Sequence, residues 1–267
     1  MNIIKNKLDI FPKGDTANQP VIFIHGFPFD HNMWNNQIDE LSSNYFCVSY
    51  DIRGLGQSPV ADGQYTMEMF TDDVLDIIEK QKLYKPVLCG LSMGGYIAQR
   101  AVERNENLFS ALILCDTKSA ADNNDAKIKR AEGIKKINEL GVKRFVEEFI
   151  SNCFAEESIS KLGEVYKETL NRSLNFSAEG IKGCLLAMAG RTDTTEFLSE
   201  IKIPVLLICG EKDKLTPRHI MEEMANSITD SEFHTIPNVG HITPLENPNT
   251  VNKIIKDFLS RKVKLKS

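Results

Sequence analysis

Short, largely apolar runs recur along the chain at 21–24, 45–50, 86–89, 110–116 and 203–209, the first of them wholly apolar. Runs of that length and composition predict strands covered on both faces of a sheet. The stretches between them carry apolar residues at helical spacing. Thr66 opens the clearest: Met69, Phe70, Val74, Ile77 and Ile78 fall on one side and Asp72, Asp73 and Asp76 opposite, which predicts a capped helix with a solvated acidic face. Further helices are expected over 32–41, from Met93 onward, over 217–227 and over 249–259, with a last strand at 232–236. Residues 2–11, mixed in character and followed by Pro12 and Gly14, read as an edge strand with a turn. Strands alternating with helices imply an α/β fold with a mostly parallel sheet and helices on both faces. From Ala121 to Ala189 the pattern changes. The chain there is charged and lacks strand-like runs, while Ile134, Ile137, Phe145, Val146 and Phe149 recur at helical spacing. This insertion divides the chain into a core, 1–118 and 198–267, and a helical cap, 119–197, over the edge where the strands end.

Composition narrows the partners. The 267 residues are 42% hydrophobic and 26% charged, enough to bury a sizeable core. A net charge of -5 argues against nucleic acid or an anionic membrane as the main partner. No run approaches the roughly 18 apolar residues of a membrane span, and the first residues hold no apolar signal segment, so a cytoplasmic location is expected. The basic end, 261–267, reads as a solvated tail. Cys47, Cys89, Cys115 and Cys209 fall in or at the end of apolar runs and read as small core residues, not a disulfide framework. Neither Cys-x-x-Cys nor His-Glu-x-x-His occurs, so no metal site is expected.

The densest local signal is Gly90, Leu91, Ser92, Met93 and Gly94, a Gly-x-Ser-x-Gly pattern set between a strand and a helix start. One residue between strand and helix forces a sharp bend. The serine is then strained and its hydroxyl exposed at the sheet edge, and a Cβ at either flanking glycine would collide with the neighbouring turn. A serine N-cap between two turn glycines would give the same local letters; the strand–turn–helix setting favours the nucleophile. Serine is a weak nucleophile that needs an adjacent base, and a histidine base needs a carboxylate to fix its tautomer.

The remaining strand ends supply the partners. His241 lies in a glycine-containing loop after the last strand, which suits a general base. His25, at another strand end, reads as a structural residue of the loop holding Phe27, while His31, His219 and His234 read as surface or capping residues. Asp213 and Asp116 both follow apolar strands; Asp213 is favoured because its loop is glycine-led and its spacing permits convergence on His241. Two backbone N–H groups, those of Phe27 and Met93, are expected to form an oxyanion hole. The glycines at 54 and 56 lack the third glycine of a dinucleotide loop and are followed by Pro59.

Taken together, His25 to Pro28, Asp51 to Ser58, Gly90 to Gly94, Gly210 to Asp213, Gly240 with His241, and Leu245 to Pro248 resemble the motif set of the α/β-hydrolase fold family over nearly the whole chain. Within it the chain is most similar to small bacterial carboxylesterases and 3-oxoadipate enol-lactonases, a likeness that extends to Ala187 through Asp193. The resemblance implies Ser92 as nucleophile, Asp213 as acid, His241 as base, no cofactor, and a small ester or lactone as substrate. A serine at the elbow argues against haloalkane dehalogenases and epoxide hydrolases, which carry aspartate there. Two alternatives remain open from the sequence: a C–C bond hydrolase of ring-cleavage products, and a non-catalytic ligand-binding protein of the same fold.

Overall fold

The apolar runs do become strands. The computed structural model describes residues 8–263. Its strands are β1 (Ile10–Lys13), β2 (Pro20–Ile24), β3 (Phe46–Tyr50), β4 (Val87–Leu91), β5 (Ala111–Cys115), β6 (Val205–Gly210) and β7 (Ser231–Ile236). Among the described residues they form one sheet in the order β1-β3-β2-β4-β5-β6-β7. Only β1 runs antiparallel to its neighbour; all other pairings are parallel. Strands β2 to β6 are buried along their whole length, as uninterrupted apolar runs require, whereas β1 and β7 are partly exposed edges. The strand order reverses direction around β2 and β4. In an open parallel sheet, ligands bind in the crevice beyond the strand ends at such a reversal.

Helices α1 (Asn35–Leu41), α2 (Met67–Lys80), α3 (Met93–Asn105), α9 (Arg218–Ser227), α10 (Thr243–Glu246) and α11 (Pro248–Lys262) belong to the core. Between β5 and β6 come α4 (Asn124–Leu140), α5 (Val142–Cys153), α6 (Glu156–Lys161), α7 (Gly163–Ser173) and α8 (Ala178–Ala189), all helical as the sequence implies. Phe145, Val146 and Ile150 of α5 are buried, so its apolar stripe faces inward. No helix among the described residues is long and apolar enough to cross a membrane. All six cysteines are buried and unpaired.

Several expectations need correcting. Strand β1 runs through Pro12 and Lys13, where a turn was expected; Pro12 is tolerated because the strand is an edge. Residues 2–7 of the expected strand lie outside the described residues. Asp73 is not on a solvated face. It is buried and pairs with Arg53 through two bonds, Nε to Oδ2 at 2.7 Å and Nη2 to Oδ1 at 2.6 Å. His31 is no surface residue either: its Nδ1 lies 2.8 Å from Asp51 Oδ1 and its ring stacks on Phe11 at 3.5 Å. At the basic end, Arg261 pairs with Glu232 and Lys262 with Asp230, so these two are anchored and not merely solvated; 264–267 lie outside the described residues.

Candidate active site

Ser92 sits between β4 and α3 with φ 52° and ψ -113°, a left-handed conformation that a serine adopts only under constraint. The constraint is visible on both sides. The amide of Ser92 donates to the Cys115 carbonyl at 3.0 Å, and its carbonyl accepts from Thr117 Oγ1 at 2.8 Å and from the Tyr96 amide at 3.1 Å. A Cβ on Gly90 would meet the backbone of Gly94, and one on Gly94 would meet the carbonyl oxygens of Ile24 and His25. The two glycines therefore permit the close crossing of the elbow over β2.

His241 follows β7 and is buried. Its Nδ1 lies 2.8 Å from Asp213 Oδ2. Asp213 Oδ2 also accepts from Thr216 Oγ1 at 2.6 Å, and Oδ1 accepts from the amides of Leu215 at 2.8 Å and Thr216 at 3.0 Å. A carboxylate so surrounded accepts, and Nδ1 donates to it. That leaves Nε2 free to act as a base. Burial alone would raise the Asp213 carboxyl, but the His241 charge and these bonds outweigh it and hold the group below its ordinary value. Burial likewise works to lower the imidazole, and the Asp213 charge and hydrogen bond, helped by Asp116 and Glu246, reverse this and raise it above 6.5.

Asp116 does not touch His241 by any hydrogen bond among the described residues. It is fully buried behind the pair, with Oδ1 accepting from the Gly210 amide at 2.8 Å and Oδ2 from the Thr243 amide at 3.1 Å and Thr243 Oγ1 at 2.7 Å. It thus ties the start of the loop that carries Asp213, at Gly210, to the end of the loop that carries His241, at Thr243. Burial first, and then the Asp213 charge, push its carboxyl well above the ordinary range.

Phe27, in the loop after β2, and Met93, at the start of α3, have backbone N–H groups with no acceptor among the described residues. His25 shapes that loop. Its ring is fully buried, with Nδ1 2.8 Å from the Gly26 carbonyl and Nε2 accepting from the Ile52 amide at 2.9 Å. The carbonyl can only accept, so Nδ1 holds the proton and the ring is neutral, in keeping with a pKa lowered by burial. The glycine-bearing loop after β3 is a scaffold: Asp51 accepts from the amides of His31 and Gln57, each at 2.8 Å.

Ser92, His241 and Phe27 line one cavity of about 370 Å³. Its apolar wall comes from α5 and α8: Phe145, Phe149, Leu185 and Met188. Phe27 packs edge-on against Phe149, with ring centroids 5.1 Å apart. The end of α5 also braces the histidine loop, because the His241 amide donates to the Cys153 carbonyl at 2.7 Å. Buried Glu246 accepts from the Gly240 amide at 2.8 Å and the Ala155 amide at 3.0 Å. Sequence reasoning placed Glu246 only within a motif and missed Thr216 altogether; the signal for Thr216 was its position three residues after Asp213, the spacing of a helix-start cap. It also missed Asp122, whose buried carboxylate meets Arg191 Nη1 at 2.6 Å and Arg130 Nε at 3.0 Å.

The alpha/beta hydrolase fold family matches residues 19–248. The AB hydrolase superfamily protein YisY of Bacillus subtilis is 30% identical over 257 residues, covering 90% of this chain and 91% of that protein. The 3-oxoadipate enol-lactonase 1 of Acinetobacter baylyi is 28% identical over 239 residues, covering 90% of this chain and 88% of that protein. Among solved structures, a thermophilic esterase from Thermogutta terrifontis with malate bound superposes with a TM-score of 0.92 at 33% identity, covering 96% of this chain and 94% of that one.

Proposed function

The chain belongs to the α/β-hydrolase fold family, and on that premise we propose that it hydrolyses small carboxylic esters or lactones through an acyl-enzyme. The observation that carries this reading is the Asp213–His241 pair at 2.8 Å, opening on the same cavity as the strained Ser92. Similarity to an enol-lactonase and to an esterase supports the substrate class. Ser92 Oγ attacks the ester carbonyl while His241 Nε2 takes its proton. The resulting oxyanion accepts from the amides of Phe27 and Met93 at the start of α3. Collapse expels the alcohol, which leaves with the proton that His241 returns to it. For a lactone, that alcohol stays attached to the acyl chain. Water, deprotonated by the same nitrogen, then attacks the acyl-enzyme, releasing the acid and restoring Ser92. Asp213 holds the tautomer and faces the imidazolium formed at each transfer.

The test is covalent labelling by a fluorophosphonate together with turnover of a nitrophenyl ester. Wild-type protein should label at Ser92 and cleave the ester. Ser92→Ala should do neither, with a loss on the order of 10⁴–10⁶ in kcat and an unchanged fold. Ser92→Ala retaining more than a few per cent of turnover would overturn the covalent route.

A further inference from the structure

The peptide joining Gly26 to Phe27 bears the amide that the proposed route turns toward the oxyanion. A peptide unit is planar, so the Gly26 carbonyl and the Phe27 N–H point in opposite directions from one rigid plate. The carbonyl end is held, accepting from His25 Nδ1 at 2.8 Å and from the Phe29 amide at 3.0 Å. That alone leaves the plate able to swing about Gly26, which has no Cβ to limit it. Two buried side chains from distant parts of the chain close that freedom. Met33 Sδ accepts from the Gly26 amide at 3.4 Å, the one acceptor this amide has among the described residues. Met33 is brought there by the short turn His31–Trp34, which Asp30 caps by accepting from the Asn32 amide at 3.0 Å. From the other side Ser173, the last residue of α7, donates from Oγ to the Pro28 carbonyl at 2.7 Å. Met33 and Ser173 meet across a gap of about 20 Å³, far too small for a ligand, so this contact between loop and helix is packing. Neither side chain lines the cavity that holds Ser92 and His241.

We propose that Met33 and Ser173 are positioning residues of the oxyanion hole, fixing the turn on both sides so that the Phe27 N–H points into the cavity. The inference rests on the hydrolase reading above and adds to it two residues that act only through the loop. An oxyanion donor is effective when it is set before the charge develops, and a displacement of about 1 Å at a reacting centre can cost about 10²-fold in rate. A buried N–H demands a partner. A leucine at position 33 would fill nearly the same volume and supply none, while the thioether supplies a weak acceptor in an apolar frame. Through Ser173 the placing of α7 is also read at the Phe27 amide.

The test uses Met33→Leu, which removes the acceptor with little change of volume, and Ser173→Ala, which removes the donor and keeps a good helix former. Each protein is titrated to completion with a fluorophosphonate, so that rates are counted per reactive serine and unfolded chains drop out. The probe is 1,1,1-trifluoro-2-pentanone. Ser92 Oγ bonds to its carbonyl carbon, the Ser92 proton passes to His241 Nε2, and the ketone oxygen becomes the oxyanion. In each variant kcat/KM for 4-nitrophenyl butyrate should fall about tenfold per titrated site, and Ki for the ketone should rise by a matching factor. The pH midpoint of kcat/KM should stay at the wild-type value, because nothing around His241 changes. The double variant should lose more than either, up to the about 10²–10³ of an absent donor. A merely structural role would lower the folded fraction and leave Ki unmoved. An unchanged Ki in both variants therefore overturns the proposal whatever the rate does, and an unchanged Ki in one removes that residue from it. Wild-type protein that neither cleaves the ester nor labels overturns the hydrolase reading and this inference together; active wild type with unmoved variants overturns the inference alone.

Discussion

His241 has its proton affinity set by opposed neighbours. Burial favours the neutral ring, while Asp213 and, more distantly, Asp116 and Glu246 favour the imidazolium and prevail, so the ring titrates above 6.5. In the proposed route only the neutral ring can accept the Ser92 proton. Activity should therefore rise with pH along one ionisation whose midpoint lies above 6.5, read from kcat/KM against pH with a nitrophenyl ester; a profile flat from about pH 5 to 8 would exclude a histidine base. Asp213 also holds the proton on His241 Nδ1 and leaves Nε2 as the nitrogen that the proposed route turns to Ser92. Asp213→Asn can hold the wrong tautomer, and should lower kcat by about 10⁴. It also removes the largest charge raising the imidazole, so whatever activity remains should titrate at lower pH. Asp116→Asn keeps the shape of a group that only accepts from Gly210 and Thr243, at the risk of turning an amide donor toward one of them. The loss there should be much smaller. Equal losses in the two variants, measured side by side, would mean that Asp116 shares the role of the acid.

The strand-to-helix elbow is held by backbone packed on backbone. In Gly94→Ala the new methyl has no flexible side chain to displace, only the carbonyls of Ile24 and His25, and His25 opens the loop that bears the Phe27 amide. The variant should lose about 1–3 kcal/mol in urea unfolding, and its activity should fall further than its folded fraction. A milder change away from the site, Thr66→Ala, removes the hydroxyl that accepts from the Met69 amide at 3.2 Å at the start of α2. It should lower stability by about 1 kcal/mol with kcat untouched. What could be read from sequence follows the same division. Strands β2 to β6 were legible because burial on both faces writes itself as an unbroken apolar run, and the elbow because its glycines are demanded locally. Asp73 was misread because spacing on α2 reports which side a residue takes but not that Arg53, from a distant loop, waits there. Asp122 and Arg130 drew no reading of their own and Arg191 only as part of the Ala187–Asp193 likeness; their meeting depends on how α4 and the end of α8 pack, which no local pattern encodes. Short α10, one turn beginning at Thr243, has too few residues for a period to appear.

On the proposed reading, the helices between β5 and β6 and the sheet edge together fix how large an acyl group the protein can take. At about 370 Å³ the cavity lies near the small end of ligand sites, and α5 and α8 supply its apolar wall through Phe145, Phe149, Leu185 and Met188. These side chains are not a hinged surface layer. Phe149 packs on Phe27, whose amide faces the oxyanion in the proposed route, and the end of α5 accepts the His241 amide, so opening these helices for a longer chain would pull on both. In the proposed route the alcohol departs after the first step, but the acyl group must fit beneath α5 and α8 through both. Across nitrophenyl esters from acetate to palmitate, kcat/KM should therefore peak among short acyl chains and fall steeply beyond them. A maximum at twelve or more carbons would require a cap that opens and would overturn the closed cavity. Cleavage of none of these esters, with a ring-cleavage dienoate cleaved instead, would move the same Ser92, His241 and Asp213 to C–C bond hydrolysis.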